Sequence, residues 1–145
     1  MEKMVRTLGG LYTEAERFVA TLAPPKDKAT LVTLSGELGA GKTAFAKAIA
    51  KALGIEETVT SPTFVLEKIY ILSSDKPFKR LIHIDAYRLD GGRDLAPLGF
   101  DELMQDPGNL VLLEWPERVA NVLPPVAAAI AFTLNKDESR TLRYG

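Results

Sequence analysis

The sequence predicts an α/β fold: one mixed, mostly parallel β-sheet flanked by helices and extended by antiparallel hairpins, in a single domain over residues 1–145. Three observations carry that expectation. A glycine-rich loop, Gly36-Glu37-Leu38-Gly39-Ala40-Gly41-Lys42-Thr43, lies between a short apolar run ending at Ser35 and a helix-like run over 45–53. Two further apolar runs, Leu81-Ile82-His83-Ile84-Asp85 and Leu110-Val111-Leu112-Leu113-Glu114, each end on a carboxylate, at the strand ends where ligands gather in parallel sheets. Two pairs of β-rich stretches joined by turn residues read as hairpins.

In chain order, Thr13 followed by Glu16 matches a capping box, so Thr13 is expected to cap a helix over 15–22 that Pro24 and Pro25 stop. Leu31-Val32-Thr33-Leu34 is a buried strand feeding the glycine-rich loop. The helix after the loop turns Lys47 and Lys51 outward until Gly54 ends it. A β-rich stretch over 64–72, the turn-like Ser73-Ser74-Asp75-Lys76-Pro77 and a second stretch over 79–85 form an antiparallel hairpin. Asp90-Gly91-Gly92 turns the chain, residues 100–105 are helical, and Asp106-Pro107-Gly108-Asn109 breaks that helix before the strand 110–113. Pro116 opens a short helix that Pro124 and Pro125 close. The tail reads as a last hairpin, with strands over 126–134 and 139–144.

Composition narrows the function. A 46% hydrophobic content and 26% charge suit one buried core. There is no cysteine, which removes disulfide and zinc-thiolate chemistry and makes a cytoplasmic location the simplest expectation. The apolar runs are too short to span a bilayer, and the opening Met1-Glu2-Lys3-Met4-Val5-Arg6 does not lead into a signal-peptide core. A net charge of -1 argues against strong autonomous binding to nucleic acid, which needs a phosphate-neutralising surface.

The loop carries the chemistry. Its glycines let successive backbone N–H groups turn onto phosphate oxygens while the following helix aims its positive end at the same anion. Lys42 is placed to reach the β- and γ-phosphates and Thr43 to ligate Mg²⁺, so the chain is expected to bind a nucleoside triphosphate in a P-loop NTPase-like domain. Asp85 and Glu114 can hold Mg²⁺, hold its waters or orient an attacking water, and the residues alone do not say which is the inner ligand. Thr60-Ser61-Pro62-Thr63 reads equally as a γ-phosphate-sensing loop and as an ordinary turn. His83, the sole histidine, shares a strand face with Asp85 and reads as a nucleotide contact or a core hydrogen-bonding group. Trp115, the sole tryptophan, reads as a stacking or packing residue. Arg88 and Arg118 flank the acidic segments as phosphate contacts or surface ion pairs.

Four segments in order, Ser35 through Thr43, Val59-Thr60-Ser61-Pro62-Thr63-Phe64, His83-Ile84-Asp85-Ala86-Tyr87-Arg88 and Glu114-Trp115-Pro116-Glu117-Arg118, resemble the bacterial TsaE family of tRNA threonylcarbamoyladenosine biosynthesis proteins. Leu98-Gly99-Phe100-Asp101-Glu102-Leu103 fits that family too, so the match spans about residues 10 to 120. The resemblance implies a small P-loop ATPase that uses ATP and Mg²⁺. It implies action on the TsaD-TsaB heterodimer, which makes N6-threonylcarbamoyladenosine in tRNA, so that tRNA is met only indirectly. By position it implies that Glu37, Leu38, Gly39, Ala40, Gly41 and Lys42 cradle phosphate, that Thr43 and Glu114 hold Mg²⁺, and that Asp85 supports the metal and hydrolysis. Thr60 and Thr63 would lie in a switch-like loop, Trp115 near the nucleotide or partner, and Thr13 close to the adenine. Glu37 stands where the family often has Asp, a small departure in a loop that binds through its backbone.

The expected reaction is attack of water on the γ-phosphorus, with Lys42 and the loop amides stabilising the charge that develops. No arginine finger stands out in the sequence, so turnover alone is expected to be slow and partner-stimulated. The rival readings are a small-molecule kinase, for which no arginine-rich lid is evident, and a nucleotide-gated binding module without required hydrolysis. The Asn-Lys-x-Asp guanine motif is absent; Asn135-Lys136-Asp137 falls one residue short of it.

Overall fold

A computed structural model describes residues 1–56 and 67–145. The predicted Thr60 and Thr63 lie outside the described residues. A seven-stranded mixed sheet runs in the order β1-β7-β6-β2-β5-β4-β3. Its strands are β1 (Glu2–Val5), β2 (Thr30–Ser35), β3 (Glu67–Ile71), β4 (Arg80–Asp85), β5 (Asn109–Glu114), β6 (Ala128–Leu134) and β7 (Arg140–Tyr144). The central strands β6, β2, β5 and β4 are parallel, while β3 pairs antiparallel with β4 on one flank and β7 with β6 on the other. The mixed sheet and both hairpins expected from the sequence are therefore present.

Helices α1 (Leu8–Thr21) and α2 (Lys42–Ala52) cover one face of the sheet. Phe18, Phe45 and Ile49 pack there against Val32, Leu34, Leu110 and Leu112, and Phe45 meets Phe132 edge-on with ring centroids 5.5 Å apart. The other face is covered by a 3₁₀ segment Gly92–Leu98, the short α3 (Phe100–Met104) and a second 3₁₀ segment Pro116–Val122. Leu95, Phe100 and Val119 bury against Leu31, Ile82, Val111 and Leu113. Leu31 and Leu34 thus serve opposite layers, as the two-residue period of a strand requires.

Three local readings are corrected. Thr13 does not cap a helix: α1 begins five residues earlier, Thr7 is its cap with Oγ1 accepting from Gly10 N at 3.0 Å, and Thr13 Oγ1 donates back to Gly9 O at 3.1 Å inside the helix. Gly9 and Gly10 are weak helix formers, but packing of Leu11, Ala15 and Phe18 against α2 and the sheet outweighs that weakness. The amino terminus forms a strand the sequence reading had left out, because β7 offers a partner edge to Glu2–Val5. The turn at Gly91 and Gly92 continues into 3₁₀ structure. A buried acid, Glu14, is held in α1 by Arg17 at 2.6 Å and by the Tyr144 hydroxyl, which ties α1 to β7.

Gly36 shows how closely the glycine-rich loop is fitted to the sheet. Its φ is 138°, and a Cβ there would stand 2.5 Å from the carbonyl oxygen of Phe132 in β6. Gly36→Ala is expected to cost about 1–3 kcal/mol of stability, the scale of enforced backbone strain. Urea unfolding checks this; an unchanged midpoint would show that β6 yields at no cost.

Candidate functional site

The loop between β2 and α2 wraps the carboxyl end of the central strands. Gly41 precedes α2 with φ 108°, and α2 starts with no side chain capping it, so its first N–H groups have no side-chain acceptor. Glu37, Leu38 and Gly39 are exposed on the rim, while Ala40 is buried beneath them. Lys42 folds back over this cradle. Its Nζ donates to Gly36 O and to Glu37 O, the latter at 3.0 Å, and lies 4.1 Å from the centroid of the Trp115 ring. Burial pushes the Lys42 amine below the ordinary lysine range, against the pull of the carboxylates Glu114, Glu117 and Asp85. A cation held between carbonyls and an aromatic face is poised to exchange those partners for phosphate oxygens.

Strand register brings the two predicted carboxylates together. Glu114 pairs with Leu34 on one side and with Asp85 on the other. Glu114 is 2% exposed and accepts from Thr43 Oγ1 at 3.1 Å through Oε1 and 3.3 Å through Oε2. His83, 1% exposed, closes on Glu114 Oε2 through Nε2 at 2.6 Å. Asp85 is half-buried and accepts from the Tyr87 backbone N–H at 3.0 Å. Burial, seconded by the neighbouring Glu114 charge, raises the Asp85 carboxyl above its ordinary range despite that hydrogen bond.

Thr43 and Glu114 present hard oxygen donors at contact distance. Among the described residues no three acidic, histidine or cysteine side chains form a metal cage. That donor set fits Mg²⁺, which needs one or two protein oxygens and takes the rest from phosphate and water.

The aromatic wall was less legible. Trp115 adopts a left-handed backbone, φ 60° and ψ 53°, directly after β5, and its ring lies 4.9 Å from that of Tyr87, over which Arg118 stacks at 5.4 Å. Trp115 therefore meets Lys42 while also packing against the Leu95, Phe100 and Val119 layer, and Arg118 is engaged by an aromatic ring. Arg140 was missed altogether. It starts β7, sends Nη2 toward Gly39 O at 3.4 Å and lies against Gly41, because the β6–β7 pair stands beside β2. No spacing in the sequence signals that approach. With Val5, Thr7, Leu11 and Ala44 it lines a cavity of about 200 Å³ that opens beside Gly41. Thr13 is not among the residues lining this cavity.

Comparison with known proteins points one way. The family model described as "Threonylcarbamoyl adenosine biosynthesis protein TsaE" matches residues 12–142. The tRNA threonylcarbamoyladenosine biosynthesis protein TsaE of Treponema pallidum is 37% identical over 80% of this chain and 82% of its own. The protein of the same name from Bacillus subtilis is 34% identical over 96% of this chain and 82% of its own. The crystal structure of Bacillus subtilis YdiB superposes with a TM-score of 0.76 at 27% identity, covering 99% of this chain and 83% of that one.

Two outcomes follow from the geometry. Should the loop take a nucleoside triphosphate, its addition is expected to change the emission of Trp115 as Lys42 leaves its ring, and Lys42→Ala to abolish the change; binding seen by calorimetry with unaltered emission would show that Lys42 stays in place. Separately, a carboxyl whose folded pKa is raised lends its stability below the ordinary pKa of 3.8 and loses it as pH climbs through the folded value. Asp85→Asn is therefore expected to raise the thermal midpoint at pH 7, with the gain fading as pH falls through the raised folded value and gone by about pH 4. A gain that is constant over that range would remove ionisation as its cause.

Proposed function

The chain belongs to the TsaE family, and from that membership we propose that it is a Mg²⁺-dependent ATPase serving threonylcarbamoyladenosine synthesis on tRNA, hydrolysing ATP to support repeated turnover of a TsaD-TsaB transferase. The family name carries the pathway. The observation that carries the chemistry is the meeting of Thr43 and Glu114, 3.1 Å apart, at the mouth of a glycine-rich loop whose helix is left uncapped.

In this reading the loop amides and the open start of α2 hold the phosphates, and Lys42 trades the carbonyls of Gly36 and Glu37 for β- and γ-oxygens. Thr43 and Glu114 hold Mg²⁺, which neutralises phosphate charge when bound. Asp85, beside Glu114 and raised in pKa, orients the attacking water and draws on its proton. The cavity walled by Leu11, Ala44 and Arg140 takes the nucleoside end, its apolar wall meeting the base. Net charge of -1 suits a protein that meets tRNA through its partners, in the cytoplasm.

The test is multiple-turnover formation of threonylcarbamoyladenosine on tRNA with purified TsaD-TsaB and supplied threonylcarbamoyl-adenylate, following ATP consumption in the same tubes. The wild-type chain is expected to sustain turnover. Lys42→Ala and Glu114→Ala are each expected to lose about 10²-fold or more in ATP hydrolysis, the scale of removing one transition-state charge partner. Normal hydrolysis by both variants in the partner complex would overturn the assignment of roles. Product formation that ignores hydrolysis while ATP still binds would favour a nucleotide-gated module, and transfer to an acceptor faster than to water would favour a kinase.

A further inference from the structure

His83 is a buried polar group in contact with Glu114 to which the proposed reaction gives no role. It sits in the middle of β4, between Lys68 of β3 and Leu112 of β5 in register, and it is 1% exposed. Its Nε2 meets Glu114 Oε2 at 2.6 Å, whereas its Nδ1 has no partner among the described residues. An ionised carboxylate is acceptor-only, so the hydrogen of this contact lies on Nε2. Leaving a buried nitrogen unmatched costs stability that an apolar side chain at this position would not. The single directed bond to Glu114 is what the histidine adds.

That bond makes the two oxygens of Glu114 unequal. Both lie within reach of Thr43 Oγ1, Oε1 at 3.1 Å and Oε2 at 3.3 Å, but only Oε2 also meets His83, at 2.6 Å. A carboxylate oxygen that already accepts a short hydrogen bond is the poorer donor to a second positive partner, which leaves Oε1 as the favoured ligand oxygen. Mg²⁺ accepts single oxygens in a small, strict octahedron, while Ca²⁺ prefers more and often two-armed carboxylate ligands. Resting on the reading of Glu114 as a metal-holding residue, we infer that His83 is a positioning and specificity residue: it clamps Glu114 into a one-armed ligand and so biases the site toward Mg²⁺ over Ca²⁺. Partners that orient a ligand in this way are worth about 10- to 100-fold in metal affinity where they have been removed.

The experiment is calorimetric binding of a nonhydrolysable β,γ-imido analogue of ATP in EDTA, in Mg²⁺ and in Ca²⁺, with the affinity gained from each cation as the readout. Wild type is expected to gain more from Mg²⁺ than from Ca²⁺. His83→Leu fills the space without a donor, and is expected to lower the Mg²⁺ gain about tenfold or more and to shrink the Mg²⁺-to-Ca²⁺ ratio. His83→Gln, whose amide can reach the Nε2 position, restores most of both. His83→Asn, polar but too short, behaves like His83→Leu and serves in its place should the apolar variant fail to fold. A ratio unchanged in His83→Leu or His83→Asn overturns the inference, and so does a folded His83→Gln that fails to restore it. Glu114→Gln separates the two levels. If it loses the Mg²⁺ gain while the His83 variants keep theirs, only the role of His83 falls; if it too is unchanged, the reading of Glu114 falls with it.

Discussion

The parallel register of β2, β5 and β4 is the constraint on which the site rests. Leu34, Glu114 and Asp85 are successive partners across three strands, and the glycine-rich loop leaves β2 one residue after Leu34's neighbour Ser35. Hydrophobicity alone would not hold this register, because Leu110, Val111, Leu112 and Leu113 are apolar on both faces and buried on both. A slip of one residue would exchange leucine for valine in each layer at modest cost. It would also turn Glu114 into the layer of Leu31, Leu95 and Val119, away from Thr43 and His83. An unpaired buried charge costs about 3–5 kcal/mol, so the polar end of β5 specifies what its apolar body leaves ambiguous.

The same end of the sheet holds several locally unfavourable features. Trp115 holds a left-handed backbone at about 1–2 kcal/mol, Lys42 is buried as a cation, α2 lacks a side-chain cap, and His83 keeps an unmatched nitrogen. Each has the same physical consequence: a group is withheld from its best internal partner and kept for something else. Uncapped N–H groups want an anion, and Lys42 rests on carbonyls that are weaker partners than phosphate. The layer built from Leu95, Phe100 and Val119 is held by apolar packing, and the Trp115 ring lies against it.

Elements whose local chemistry and tertiary role agree were legible in the sequence. The loop, the two acid-tipped strands and both hairpins could be read because Gly, Pro and apolar runs mark them without reference to neighbours. Thr13 misled because a capping box is a local pattern, while the start of α1 is set by what Leu11, Ala15 and Phe18 touch. Sequence placed His83 and Asp85 on one face, yet the bond that gives His83 its meaning crosses to β5, and a period of two cannot say which residue waits there. Arg140 was illegible for a stronger reason. It lies about a hundred residues from Gly39, and only the position of the β6–β7 pair beside β2 brings the two together.

Asp85 and Glu114 show why strand position alone could not divide their labour. They are neighbours in register at the ends of adjacent strands, so a symmetric pair of acids would be expected. Their surroundings break the symmetry. Glu114 is enclosed and meets two side-chain groups, Thr43 through both oxygens and His83 through Oε2, which fix its rotamer. Asp85 is half-exposed, takes one backbone hydrogen bond, and is pushed by burial and by the Glu114 charge toward holding a proton. A carboxylate that is fixed suits a cation, and one whose affinity for a proton is raised suits a reacting water. The proposed division of roles follows from burying one member of the pair more deeply than the other, and it needs no difference in their distance from the phosphates.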